Sequence, residues 1–241
     1  MPEPATGPKL SPVEALPEAS RRYGEVGAHS AEPRWGMAVD TERCIGCWSC
    51  AVICKSENDV PLGMWWNRIL TAGGDLDTPE VDEHGDLSMH WVPLACQHCG
   101  DPPCEKVCPT SATYVDDRGT VLVNQADCIG CRYCMAACPY GVRVFNWGTP
   151  DRATDFDTGM VQARPVGSVE KCTFCIHRLE EGQVPSCVWS CPARARIFGD
   201  LNDPDGQLVR TIEDRRGTRL LEDKGTQPKV FYLEQRRRRS L

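Results

Sequence analysis

Cys96-Gln97-His98-Cys99-Gly100-Asp101-Pro102-Pro103-Cys104-Glu105-Lys106-Val107-Cys108 and Cys128-Ile129-Gly130-Cys131-Arg132-Tyr133-Cys134-Met135-Ala136-Ala137-Cys138-Pro139 decide how this chain folds. In the second run, two residues separate each of the first three cysteines, three precede the fourth, and proline follows. With that spacing three thiolates hold one iron–sulfur cluster and the fourth reaches across to a neighbour. The first run differs by two extra residues before Cys104, and it also closes on cysteine, three residues, cysteine, proline. Two such runs facing each other make a two-cluster module.

The chain holds sixteen cysteines in four groups, with none left over. The outer groups are Cys44, Cys47, Cys50, Cys54 and Cys172, Cys175, Cys187, Cys191. A disulfide scaffold would call for a secretory context and a shorter chain. Residues 1–34 are rich in Pro, Glu, Ala, Ser and Gly, and no apolar signal-peptide core is visible there. Zinc sites favour separated cysteine pairs over four cysteines packed within about a dozen residues. Iron–sulfur clusters fit the spacing best, and a zinc-stapled interaction module is the remote alternative.

No stretch approaches the ~20 apolar residues of a membrane span, so no direct span is expected. Net charge is −7, which argues against a nucleic-acid partner. Residues 210–241 run the other way, with ten basic and five acidic side chains.

Residues 1–34 contain six prolines and suit an extended arm, disordered or laid over a partner. Met37–Asp40 is expected to be a strand delivering the first cysteine loop. Gly46 and Gly130 are expected to turn backbone N–H groups toward sulfur, and Ile45 and Ile129 to shield clusters from water. A short helix over Trp48–Glu57 would put Cys50 and Cys54 on one face. Lys55 replaces the proline of the pattern, either beside an anionic cluster or solvated. Trp65 and Trp66 open an insertion and cover a cluster, dock a partner or join the core.

Ala112–Asn124 reads as a hairpin around Asp117-Arg118-Gly119, and Val142–Phe145 as a further strand. His177–Gly182 is expected to bulge outward within the fourth group. Lys229–Leu233 is expected to add an edge strand. Arg236–Arg239 pairs with an acidic partner or anionic lipid, or is simply solvated. His98 is either a hydrogen-bond donor toward a cluster or a surface residue, since a Rieske centre needs two histidines on one iron.

These readings predict an α+β chain of two pseudo-symmetric, bacterial-ferredoxin-like two-cluster modules with extended terminal arms. The boundaries are 1–34 for the N-terminal arm and 96–139 for the inner module. The outer module takes 35–95 and 140–205, with an insertion at 60–95, and 206–241 is a tail. If groups two and three pair, groups one and four must pair. Cys44, Cys47, Cys50 and Cys191 then hold one cluster, and Cys172, Cys175, Cys187 and Cys54 its neighbour. Cys96, Cys99, Cys104 and Cys138 hold a third, and Cys128, Cys131, Cys134 and Cys108 the fourth. Sixteen ligands saturate four clusters and leave no open iron, so the chain is expected to conduct electrons and not to catalyse on its own.

The phrases CIGCWSCAVICK, CQHCGDPPCEKVCPTSATY, CIGCRYCMAACPYGVRVFNW and KCTFCIHRLEEGQVPSCVWSCP followed by ARARIFGDL resemble the four-cluster electron-transfer (beta) subunits of the dimethyl sulfoxide reductase family. The resemblance spans residues 35–201 and implies four [4Fe-4S] clusters in the pairing above. It also implies a molybdopterin (Mo/W bis-pterin) catalytic subunit and a membrane quinone-reactive anchor subunit as partners. Nitrate reductase relatives carry tryptophan at the place of Cys131 and hold a [3Fe-4S] cluster; cysteine here implies a fourth [4Fe-4S]. An alternative is the same wire in a hydrogenase, formate dehydrogenase or nitrite reductase complex. The compartment stays open, because such subunits can be exported folded with a twin-arginine-signal partner.

Overall fold

The computed structural model describes residues 25–26, 31–74, 77–81, 85, 89–148, 161 and 164–233. Most of the expected N-terminal arm, part of the acidic loop before His90 and the Arg236–Arg239 run lie outside them. In chain order the elements are β1 (Trp35–Asp40), α1 (Ser49–Glu57), β2 (Arg68–Ala72), β3 (His90–Leu94), α2 (Pro103–Lys106), β4 (Thr113–Val115), β5 (Val121–Val123) and α3 (Tyr133–Ala137). There follow β6 (Val144–Phe145), β7 (Val169–Glu170), α4 (Ile176–Glu180), α5 (Ser186–Trp189), β8 (Arg196–Asp200), α6 (Gln207–Asp214), β9 (Thr218–Arg219) and β10 (Val230–Leu233).

Strand β1 is buried along its whole length. Trp35, Met37 and Val39 pack with Phe174, Val188 and Tyr232 on the side that carries Cys50 and Cys187. Ala38, between them in sequence, turns the other way onto Leu208, Phe231 and Leu233. This period-two division is what a strand covered on both faces needs. A four-stranded sheet results, in the order β8-β1-β10-β9, with β1 and β10 parallel and the other pairs antiparallel. Helix α6 covers one face through Leu208, and the cysteine-bearing helices occupy the other.

Three two-stranded ladders hold the loops: β2–β3, β4–β5 and β6–β7. The expected hairpin at 112–124 is present, closed by Gly119 N–H donating to Asp116 O. Residues 206–233 are not a tail, and β10 is not at an edge. It lies between β1 and β9 because Val230, Phe231, Tyr232 and Leu233 are all buried and demand cover on both sides. The segment His177–Gly182 bulges outward only in its second half, where Glu180, Glu181 and Gly182 are exposed. Arg178 and Leu179 are buried, and Arg178 Nε donates to Val184 O at 2.9 Å, folding the segment back on itself.

Among the described residues, no helix is long and apolar enough to cross a membrane.

Candidate functional site

The residue before the second cysteine of each group takes a left-handed backbone: Gly46 (φ 66°), His98 (42°), Gly130 (68°) and Phe174 (57°). Glycine adopts this most easily, and two of the loops use it. A Cβ on Gly46 would stand 2.4 Å from the Trp91 ring, and one on Gly130 2.1 Å from Gly167 O. These loops are therefore closed by tight approach as well as by dihedral angle.

Cys96, Cys99, Cys104 and Cys138 line one small cavity, enclosed by Tyr140, Val142 and Arg143. Cys108, Cys128, Cys131 and Cys134 line a second, roofed by Ile129 and Val169. Among the described residues, no three His, Cys, Asp or Glu side chains are arranged to hold a single metal ion. Four thiols drawn around one cavity, three from one run and the fourth from the other, fit a thiolate-held iron–sulfur cluster.

Among the outer groups, Cys50 and Cys187 share one core cluster, and Cys172 packs against the cluster that holds Cys54. Burial raises the Cys44 thiol, with Cys50 and Cys191 adding to the rise. Asn58 Nδ2 reaches both Cys54 Sγ (3.8 Å) and Cys175 Sγ (3.5 Å), tying α1 to the fourth group. Burial and then neighbouring thiols push Cys54 and Cys172 well above the usual thiol range, and Cys99 up to about 12. Burial carries Cys187 up to about 12 against the pull of Arg196. Grouped thiolates in these positions need a bound cation, and iron supplies one.

Donors already point at sulfur. Backbone N–H groups of Thr113, Phe174 and Ala195 donate to Cys108 (3.4 Å), Cys172 (3.4 Å) and Cys191 (3.2 Å). Arg143 Nη2 donates to Cys104 at 3.1 Å, and Arg196 reaches Cys187 at 3.8 Å and Cys50 at 3.6 Å. These arginines and Asn58 were not anticipated from the sequence. The signal for the arginines was present: each stands five residues after the last cysteine of its group, Cys138 to Arg143 and Cys191 to Arg196.

His98 is fully buried and is not a surface residue. Its Nδ1 accepts from Val121 N–H at 3.2 Å, so the proton of the neutral ring is on Nε2. Burial first, then Lys171, hold its pKa well below the usual imidazole value. Nε2 has no hydrogen-bond partner among the described residues. An orphaned N–H in a cysteine loop is what a missing sulfur acceptor would leave.

Ile45 and Ile129 are 62 % and 67 % exposed, and Ile129 lines the Cys128 cavity from its solvent side. Their loops lie at the surface, where Cys47 and Cys131 are exposed too. Trp66 is core, with the Arg164 guanidinium 4.5 Å above its ring. Trp65 meets Trp48 edge-on at 5.8 Å. Lys55 is half-buried, next in sequence to Cys54; it bonds Pro61 O, and Met64 O at 2.8 Å, and lies over Trp65.

A family model described as a 4Fe-4S dicluster domain matches residues 87–154 and 158–201. A Halobacterium salinarum protein named as an iron–sulfur subunit of dimethyl sulfoxide reductase is 53 % identical over 205 residues, covering 83 % of this chain and 78 % of the relative. The chain belongs to the iron–sulfur subunits of the dimethyl sulfoxide reductase family. This iron–sulfur subunit is also 38 % identical over 232 residues to the arsenate respiratory reductase iron–sulfur subunit ArrB of a Shewanella species, covering 83 % and 96 % of the two chains. It is 37 % identical over 228 residues to the iron–sulfur cluster-binding subunit of a menaquinone reductase from Nitratidesulfovibrio vulgaris, covering 84 % and 89 %. The subunit binds iron–sulfur clusters and serves electron transfer within an oxidoreductase complex, as its cysteine spacing led one to expect.

Proposed function

We propose that this subunit carries electrons through four [4Fe-4S] clusters between a molybdopterin catalytic subunit and a membrane quinone-reactive subunit. One observation carries the reading: each of two cavities is lined by four cysteines, three from one group and one from its partner group. Cys96, Cys99, Cys104 and Cys138 would hold one cluster, and Cys108, Cys128, Cys131 and Cys134 the next. Cys44, Cys47, Cys50 and Cys191 would hold the outermost, followed by Cys54, Cys172, Cys175 and Cys187. Bound clusters supply one-electron relay sites.

The order along the wire follows from which sulfurs neighbour one another. Arg196 bridges Cys50 and Cys187, and Cys172 packs against the core cluster that holds Cys96. Cys104 and Cys134 share a core cluster. The outermost cluster thus leads through the Cys172 set and the Cys96 set to the Cys128 set. The repeated offset to Arg143 and Arg196 supports two pseudo-symmetric modules, an inner one over 96–139 and an outer one over 35–95 and 140–205. The protein's own groups would do the rest: backbone N–H groups already donate to Cys108, Cys172 and Cys191, His98 Nε2–H would be a further donor, and packed aromatic and aliphatic side chains would limit water.

The complex, purified without oxygen, should show four sets of reduced-cluster resonances after dithionite. Those signals should vanish on adding one of dimethyl sulfoxide, arsenate, selenate or tetrathionate. A colourless, zinc-containing protein without resonances contradicts the reading.

A further inference from the structure

Arg143 and Arg196 each lie between two cysteine sets. We infer that each is a shared cation governing how readily the two clusters of its own module hold electrons at the same time. The inference rests on the cluster assignment above.

Arg143 is 4 % exposed. Its Nη2 is 3.1 Å from Cys104 Sγ and its Nη1 donates to Thr113 Oγ1 at 3.1 Å. Cys104 belongs to one inner set and packs in the same core cluster as Cys134, which belongs to the other. Arg196 is 3 % exposed. Its Nη1 is 3.8 Å from Cys187 Sγ and 3.5 Å from Met37 Sδ; its Nη2 is 3.6 Å from Cys50 Sγ and donates to Asn67 Oδ1 at 2.8 Å. Cys50 and Cys187 belong to the two outer sets. Neither guanidinium pairs with a carboxylate among the described residues. Thr113 and Asn67, which hold the guanidinium planes, are neutral. The positive charge is therefore answered by sulfur alone, where solvent screens little.

The chemistry follows. Each electron taken up adds one negative charge to a cluster, so two reduced neighbours repel. A fixed cation between them offsets that repulsion and favours the state in which both are reduced. Arginine suits the place because it stays charged at any working pH and its planar fork can address two sulfurs at once. The same charge occurs at the same offset in both modules, so its effect should be confined to pairs of clusters. Removing Arg143 should move the inner two, and removing Arg196 the outer two.

The test is a redox titration, followed by electron paramagnetic resonance, of the intact complex carrying Arg143→Met, Arg196→Met or Arg143→Lys, with iron measured per chain. With iron unchanged, Arg143→Met should lower two of the four midpoint potentials and spread them apart. Arg196→Met should lower the other two, and Arg143→Lys should give a smaller shift in the first pair. Should Arg143→Met lose iron, Thr113→Val, which removes only the oxygen that orients the guanidinium, should lower the same two midpoints by less. Full iron with unmoved midpoints, or a shift at one cluster only, overturns the shared-cation inference and leaves the assignment standing. A wild-type complex without clusters overturns the assignment itself, and the inference with it.

Discussion

The imidazole of His98 lies flat against the ring of Phe174, with centroids 3.7 Å apart and 20° between planes. Each is the residue before the second cysteine of its group, and each holds a left-handed backbone that glycine takes in the other two loops. The strain of a non-glycine residue there, about 1–2 kcal/mol, is offset by a stack that joins the second cysteine group to the fourth. Val121 N–H on His98 Nδ1 and Phe198 against Phe174 complete the joint.

Phe174→Ala should therefore lower apparent stability by about 3–5 kcal/mol. Combined with His98→Ala it should show a coupling of about 0.5–1.5 kcal/mol. Denaturant midpoints of the four cycle members measure this. Strict additivity would mean that the stack is incidental to the joint.

Gly130→Ala is expected to affect the exposed end of the inner module selectively. The new Cβ meets Gly167 O at 2.1 Å in a backbone with φ 68°. Iron per chain should fall by about four, the content of one cubane. Gly141→Ala also has positive φ but open space around it. It should keep its iron and lose at most about 1–2 kcal/mol.

Glu57 and Arg178 each stand three residues beyond a cysteine assigned to the same cluster, Cys54 and Cys175. Glu57 accepts from His177 Nε2 at 2.9 Å and from Arg178 Nη1 at 3.4 Å. Burial alone would raise its pKa, but His177 and Arg178 prevail and hold it below the ordinary glutamate value. The stabilisation is thus fully present above that ordinary value and lost as pH falls through the lower, folded one. Glu57→Gln should cost about 1–3 kcal/mol at neutral pH. It should also flatten the acid side of the stability profile, followed by thermal unfolding from neutral pH downward.

What the sequence made legible was local. Cysteine spacing marked the four groups, Gly46 and Gly130 marked two of the turns, and Asp117-Arg118-Gly119 marked a hairpin. The position of β10 was illegible because a short apolar run reads the same at the edge and in the middle of a sheet. Its place depends on β9 and α6, which carry little signal of their own. How far Ile45 and Ile129 stand exposed was illegible for a related reason. Being next to a cysteine does not fix which way a side chain points, and these two loops lie at the surface. His98 and Phe174 hid their shared role because neither is glycine, and only the stack between them makes that backbone tolerable.

Lys171 is buried at the junction of β5 with the fourth cysteine group, bonding Val121 O, and Cys172 O at 2.7 Å. Lys171→Met removes both bonds and leaves two carbonyls short of a donor, at about 1–3 kcal/mol each. A larger loss of thermal stability is expected than for Lys224→Met, whose partner Asp223 is exposed. Equal losses would show that the junction does not depend on Lys171.

The most direct test of the central claim is the count of iron and acid-labile sulfide in the complex purified without oxygen, with thiols titrated after denaturation. Four cubanes held by all sixteen cysteines predict about sixteen iron and about sixteen sulfide per chain, with no cysteine blocked from Cys44 through Cys191. Zinc in place of iron, or a disulfide among those positions in the intact protein, would contradict it.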